Sequence, residues 1–327
     1  MTQYLSSMQL ASLKATKGMA LIQILILVGV LSTIALYISQ STRQQVTIAQ
    51  WSIDRAQAYV NAHSAKNAVL FELLTNEWQT NKINSELIFD TSTEESSNVT
   101  AVENSTNDGR ENREVLPWNL YSEPFKLTDS VEVRLQDQAG LLSLHFPLAD
   151  LTKKRFMLTG ASEEIAEAIG ASLLDWQDSD SIARSTGDES AQYIRNALVQ
   201  DTREILLLKN MSIERFEQVE SDFTLFGASY INLMTSPETV LTALSNQLIA
   251  EEIVKLRLSP PSRTSAVRNM MGLSSDIDVY FTPNKVVKIS ISSTMNDVEL
   301  NQTLMVKFSP YSTGNVKPFT IKQRSGS

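Results

Sequence analysis

Four acidic side chains fall within one short stretch: Asp178, Asp180, Asp188 and Glu189. Hard carboxylate oxygens gathered on a loop suit Ca²⁺, which takes about six to eight oxygen ligands in flexible geometry. The spacing is not that of an EF-hand, so a solvated acidic loop after a helix is the plainer reading of the same residues. Asp175 reads separately, as a short carboxylate beside Trp176 that caps or turns the helix end. A paired-carboxylate hydrolase would need a positioned general acid and base, which residue types alone do not supply. No aromatic sugar-binding cluster and no Gly-rich phosphate loop accompanies these acids, so the chain does not read as an enzyme. It has no Cys, which removes disulfides, thiolate metal sites and Cys nucleophiles. Its two His residues, His63 and His145, are far apart in sequence and read as ordinary.

A second constellation lies near the N-terminus. Lys17-Gly18-Met19-Ala20-Leu21-Ile22-Gln23 heads a run with no charged residue from Met19 to Thr42. About 20 helical residues cross the hydrocarbon core of a bilayer, so Met19 to Ile38 is long enough to span one. Lys14 and Lys17 precede the run and favour a cytoplasmic N-terminus with the bulk of the chain across the membrane. A cleaved signal peptide would need a small-x-small site, and none is clean around Ala35 to Gln40.

These groups must be positioned by the remaining chain, 327 residues in all, enough for two modest cores. The net charge is −9, and −11 once the two leader lysines are set aside. That balance argues against nucleic-acid binding, which concentrates positive charge. Glu163 and Glu164 would repel phosphate from the one helix start that resembles a DNA-binding hairpin, and Lys209-Asn210 is not a Gly hairpin. From Gln44 to about Trp78 there is no Pro or Gly, and Ala58, Ala62, Ala65, Val69 and Leu73 line one helical face. One helix of some 90 Å from Met19 to about Trp78 is therefore expected, at about 1.5 Å per residue. Asp90 to Glu114 is polar and acidic and reads as a mobile loop. Val131, Val133 and Leu135, then Leu142, Leu144 and Phe146, alternate about Asp137–Gly140 and predict a β-hairpin. Helices follow, one capped by Ser162 and one opened by Ser236-Pro237. Lys285–Ser292 and Glu299–Phe308 alternate again and predict a closing strand pair. The order implies an α+β fold in which a helical domain is inserted into a small sheet domain.

A Gly between a basic leader and an apolar helix resembles the start of type IV prepilins and type II secretion pseudopilins. Further segments match in order: Arg55-Ala56-Gln57-Ala58-Tyr59; Val131–Leu144 around Asp137 and Gly140; Leu174–Asp180 with Gly187-Asp188-Glu189 and Tyr193; Glu204–Leu207; Ile231–Thr235; and Val240–Leu244. Together they cover most of the chain and resemble the general secretion pathway protein K family, the large minor pseudopilins of type II secretion. The departures are Ser143 and His145 where Asn is frequent, Met234 for Asn, and Lys209-Asn210 in place of a Gly.

The resemblance implies a prepilin leader at 1–18, a transmembrane helix at 19–42, and a pilin-like α+β part at 43–149. An inserted α-helical domain would follow at 150–275, with closing strands of an antiparallel pilin-like sheet at 276–327. Prepilin peptidase would cleave after Gly18 and methylate Met19. Gln23 stands where most pilins carry a Glu that neutralises a neighbour's amine, and its lack suits a tip subunit with no neighbour ahead. The family carries calcium near the loop of Asp178, Asp180, Asp188 and Glu189. Implied partners are minor pseudopilins of the I and J type, the inner membrane, and secreted proteins or the outer-membrane channel. A signal-anchored periplasmic binding protein and a minor pilin of a type IV pilus are the alternatives.

Overall fold

The computed structural model describes residues 19–84, 118–190, 194–258, 264–271, 279–309 and 317–326. The expected leader and the acidic stretch Asp90 to Glu114 lie outside them. The chain divides into two units, Met1–Ala56 and Gln57–Ser327.

Helix α1 (Met19–Thr75) has no Pro and a single Gly, Gly29, to interrupt it. Thr33, Thr42, Thr47 and Ser52 each donate to a carbonyl three or four residues back, which hides their hydroxyls within the helix. Among the described residues, α1 is the one helix long and apolar enough to cross a membrane, with a most apolar window of mean hydropathy 2.5. Within the first unit its large apolar side chains, Leu25, Ile34 and Trp51 among them, are exposed. The helix stops at Thr75, short of Trp78, whose Nε1 turns back to donate to the Leu73 carbonyl at 2.8 Å.

The second unit contains, in order, β1 (Lys82–Ile83), β2 (Trp118–Asn119), β3 (Phe125–Thr128), β4 (Val131–Asp137), β5 (Leu142–Ser143), α2 (Ala149–Met157), α3 (Glu163–Gln177) and α4 (Ile213–Val219). There follow β6 (Phe223–Thr224), β7 (Ile231–Asn232), α5 (Glu238–Leu244), α6 (Gln247–Arg257), α7 (Thr264–Met271), β8 (Val279–Tyr280), β9 (Val286–Met295), β10 (Val298–Phe308) and β11 (Phe319–Gly326). The fold is α+β. Its main sheet is antiparallel, in the order β11-β10-β9-β4-β3. Alternate residues Val131, Val133, Leu135, Ile289, Ile291, Leu304 and Val306 face α1, where Ala62, Ala65, Val69 and Leu73 complete a first core. A second core gathers Leu151, Phe156, Ile169, Leu173, Trp176, Val240, Leu241 and Ile253 from the helices.

The expected hairpin at Val131–Leu144 does not form. β4 pairs with β3 and β9, whereas Leu142 and Ser143 pair in parallel with Phe223 and Thr224. The two alternating runs belong to different cores: Val131, Val133 and Leu135 to the sheet, Leu142 and Leu144 to the helices. The turn between them is a 3₁₀ turn, Gln138–Gly140, which Asp137 opens by accepting from Ala139 N at 3.1 Å. The chain is thereby redirected out of the sheet instead of folding back on it. The closing strands form as β9 and β10, while β11 had no sequence reading. Ser162 caps α3 as expected, but α5 begins after Pro237, and Ser236 instead donates to Asn232 O at 2.9 Å.

The join between the two cores is polar. Asp137 is fully buried and accepts four hydrogen bonds. Ala139 N and Asn284 N (2.8 Å) reach Oδ1, while Thr235 Oγ1 (2.8 Å) and Asn232 Nδ2 (3.1 Å) reach Oδ2. A Cβ at Gly140 would collide with the Thr235 carbonyl, so only glycine lets the turn approach this closely. Arg257, also buried, donates to Leu233 O at 2.8 Å and to Ser236 O, and stacks over the Tyr121 ring.

Burial pushes the Asp137 carboxyl up to about 6, while its four donors pull it back. A carboxyl raised above its unfolded value stabilises the fold fully below that value, near 3.8, and loses the contribution as pH rises through about 6. Denaturant unfolding of the full-length protein in detergent should therefore show a fall of up to ~3 kcal/mol between pH 4 and 7 that Asp137→Asn lacks. Parallel pH profiles for the two proteins would refute this.

Candidate functional site

The acidic loop is built by the end of α3. Ser162 accepts from Ile165 N, Glu163 and Glu164 occupy the positive first turn, and Ala166, Ile169, Leu173 and Trp176 bury one face. The helix ends at Asp178, whose backbone turns extended after its N–H reaches Leu174 O.

Three carboxylates converge there. One oxygen from each of Asp175, Asp178 and Glu189 lies within 4.8 Å of the others. Asp178 and Glu189 are thus brought together as the sequence suggested, but their third companion is Asp175. Asp180 and Asp188 do not join that group. Asp180 Oδ1 accepts from Ile182 N at 2.8 Å, and Asp188 Oδ1 accepts from Ser190 N at 2.9 Å and Ser190 Oγ at 2.5 Å. The Ser190 hydrogen bonds hold the Asp188 carboxyl below its usual range.

Asp175 is fully buried beneath the loop. It accepts from Asp188 N at 3.0 Å and from Arg184 N, and Arg184 Nη1 lies 2.5 Å from both Asp175 Oδ1 and Asp178 Oδ2. A Cβ at Gly187 would overlap Asp175 Oδ2, so the loop can close over the carboxylate only with glycine at that position. Asp175 is therefore the post around which the loop is wound, which the expected role at the helix end only partly anticipated. Arg184, an exposed loop residue with no distinguishing spacing, gave no signal in the sequence.

One cation does not satisfy every oxygen. Asp178 Oδ1, Glu189 Oε1 and Asn196 Oδ1 are enclosed and accept no hydrogen bond. Burial first, and then the charges of Asp178, Asp175 and Asp180, push the Glu189 carboxyl up against the opposing pull of Arg184. The enclosed oxygens of Asp178 and Glu189, which belong to the converging group, fit a hard cation such as Ca²⁺.

Of the N-terminal residues, Gly18 lies outside the described residues and Met19 begins α1. Gln23 is exposed on α1, one turn into its apolar run. Lys209-Asn210, where a glycine was the reference, places Asn210 at φ 64°, a left-handed position that Asn tolerates.

No protein-family model matches the chain, and no curated protein matches it. Among solved structures, the chain is similar to one in the GspK-GspI-GspJ complex of the enterotoxigenic Escherichia coli type 2 secretion system. That likeness has 14% identity and a TM-score of 0.44, and covers 63% of this chain and 83% of the other.

Removing Arg184 would leave buried Asp175 beside Asp178 without its cation. Because Arg184 is 42% exposed, solvent offsets part of that loss, and Arg184→Gln is expected to destabilise by ~1–3 kcal/mol. Thermal melts of the full-length protein in detergent would measure it. A change below ~0.5 kcal/mol would show that Arg184 is not the loop's internal counter-ion.

Proposed function

We propose that this chain is a minor pseudopilin of the type II secretion kind. Residues 19–42 would hold it in the inner membrane, and the remainder would lie in the periplasm. The observation that carries the reading is the unbroken helix α1. Its first part is uncharged and exposed, and its last turns, Ala62 to Leu73, wall the core of an antiparallel sheet. A helix serving both ends suits a subunit that rests in a membrane and is then drawn into a bundle of like helices. The Gly18–Met19 junction supplies the cleavage and methylation point. Gln23 supports a place at the tip, with I- and J-type minor pseudopilins as partners in starting assembly. An intramembrane carboxylate without a partner is costly, and a first subunit has no preceding amine to pair with it. Prepilin peptidase, secreted proteins and the outer-membrane channel complete the expected contacts.

Mass analysis of the protein from its native membrane should find a chain beginning at N-methylated Met19. Retention of residues 1–18, or a start beyond residue 35, would sink the pseudopilin reading.

The acidic loop is proposed as a calcium site on Asp178 and Glu189. Asp175 would remain structural with Arg184. Bound cation would join the loop to the end of α3 and stiffen the helical part of the head. Calcium should raise the melting temperature of the full-length protein by several degrees over EDTA, and Asp178→Asn should remove the rise. An absence of any calcium shift would discard the metal site and leave the membrane reading intact.

A further inference from the structure

The five-stranded sheet ends at β11, and among the described residues nothing pairs with that strand's outer side. The edge is eight residues long, twice the length of β3 at the opposite edge, and all its side chains but that of Phe319 are exposed. Such an edge presents a row of backbone donors and acceptors ready for another strand. Residues 317–326 carry Lys317, Lys322 and Arg324 and no acid, in a chain whose net charge is −9.

Edge lysines and bulges are devices that stop adventitious pairing, and β11 has both, with Lys322 at a register shift opposite Met305 and Val306. Those features disfavour pairing with a second copy, since like charges would meet along the edge. They do not account for Lys66. This lysine lies on the part of α1 packed against the sheet, between the core residues Ala65 and Val69. Burial first, and then the charge of Arg324, lower its pKa. The Gln302 amide, oriented with its oxygen toward β11, accepts from Arg324 Nε at 3.0 Å and Nη2 at 2.7 Å. Neither cation makes an ion pair with a described residue. Two like charges from different elements, neither ion-paired with a described residue and one of them depressing the other, form an arrangement that an anion would relieve.

The other face of the same edge opens on a cleft of about 770 Å³. Lys322, Gln323 and Ser325 of β11 line it together with Asp201, Thr202 and Glu220 of the helical part. A strand laid along β11 would turn alternate side chains toward Arg324 and Lys66, and the others toward this polar cleft.

We infer that β11 is a docking edge for an extended acidic segment of a partner protein, bound as a sixth strand. Its carboxylates, at alternate positions, answer Arg324 and Lys66, and its intervening uncharged residues face the cleft. The inference draws on the sheet and its charges alone and is independent of the pseudopilin reading.

The probe is a labelled eight-residue peptide of alternating Glu and Thr, titrated into the full-length protein in detergent and read by fluorescence anisotropy. Binding should weaken about tenfold between low and moderate salt. It should also fall at least about tenfold for a Lys-for-Glu peptide, for a peptide N-methylated at alternate amides, and for the Lys66→Gln/Arg324→Gln protein, while Arg324→Lys retains most of it. Equal binding of the methylated peptide would rule out strand addition, and equal binding by the double variant would rule out the cation pair. No binding at millimolar peptide, or a dimer of the chain abolished by Gln323→Pro, would overturn the inference.

Discussion

The buried carboxylate of Asp137 is the constraint on which the second unit depends. It sits at the last residue of β4, where the chain leaves the sheet and enters the helical part. Its four donors come from the turn that follows, from the β7 segment, and from the approach to β9. A charge removed from water is tolerated only when its oxygens are fully hydrogen-bonded. The requirement therefore fixes three chain segments around one point. Asn232 extends the arrangement by donating also to Thr80 O, and Gln136 donates to Thr235 O from the neighbouring position. The two apolar cores are joined through a polar, directional seam.

The acidic loop follows the same rule with a different outcome. Asp175 is as buried as Asp137, but its main partner is a guanidinium instead of neutral donors. That leaves the loop around it acidic and several of its oxygens without donors. One buried carboxylate is closed off and structural. The other is held by Arg184, and the neighbouring carboxylates of Asp178 and Glu189 each keep an oxygen without a donor. The contrast separates a carboxylate satisfied by neutral donors from one satisfied by a cation.

Much of the fold was legible in local pattern. Period-two alternation located β4, β9 and β10, and helical periodicity with Ser162 as cap located α3, because each reports one buried face of one element. The hairpin reading failed because alternation reveals that a run is half-buried and not which core buries it. Leu142 and Leu144 pack with helices although they alternate as Val133 and Leu135 do. β11 escaped notice because its side chains are exposed on both faces and leave no apolar period. At the acidic loop, Asp178 and Glu189 were legible as hard ligands on a loop, while Arg184 and Asn196 carry no spacing signal.

The sequence by itself determined the uncharged run from Met19, its junction at Gly18, the helix that continues it, and the chemical types gathered near Asp178. These are properties of neighbouring residues, and short-range sterics and hydropathy suffice to read them. Tertiary structure decided which distant segments meet: Asp137 with Asn232 and Asn284, Gly140 with Thr235, and Asp175 with Arg184 and Gly187. Those meetings satisfy buried charge or permit close backbone approach, and the same packing lets the Arg324 charge act on Lys66. Both outcomes depend on how the cores pack and not on spacing along the chain.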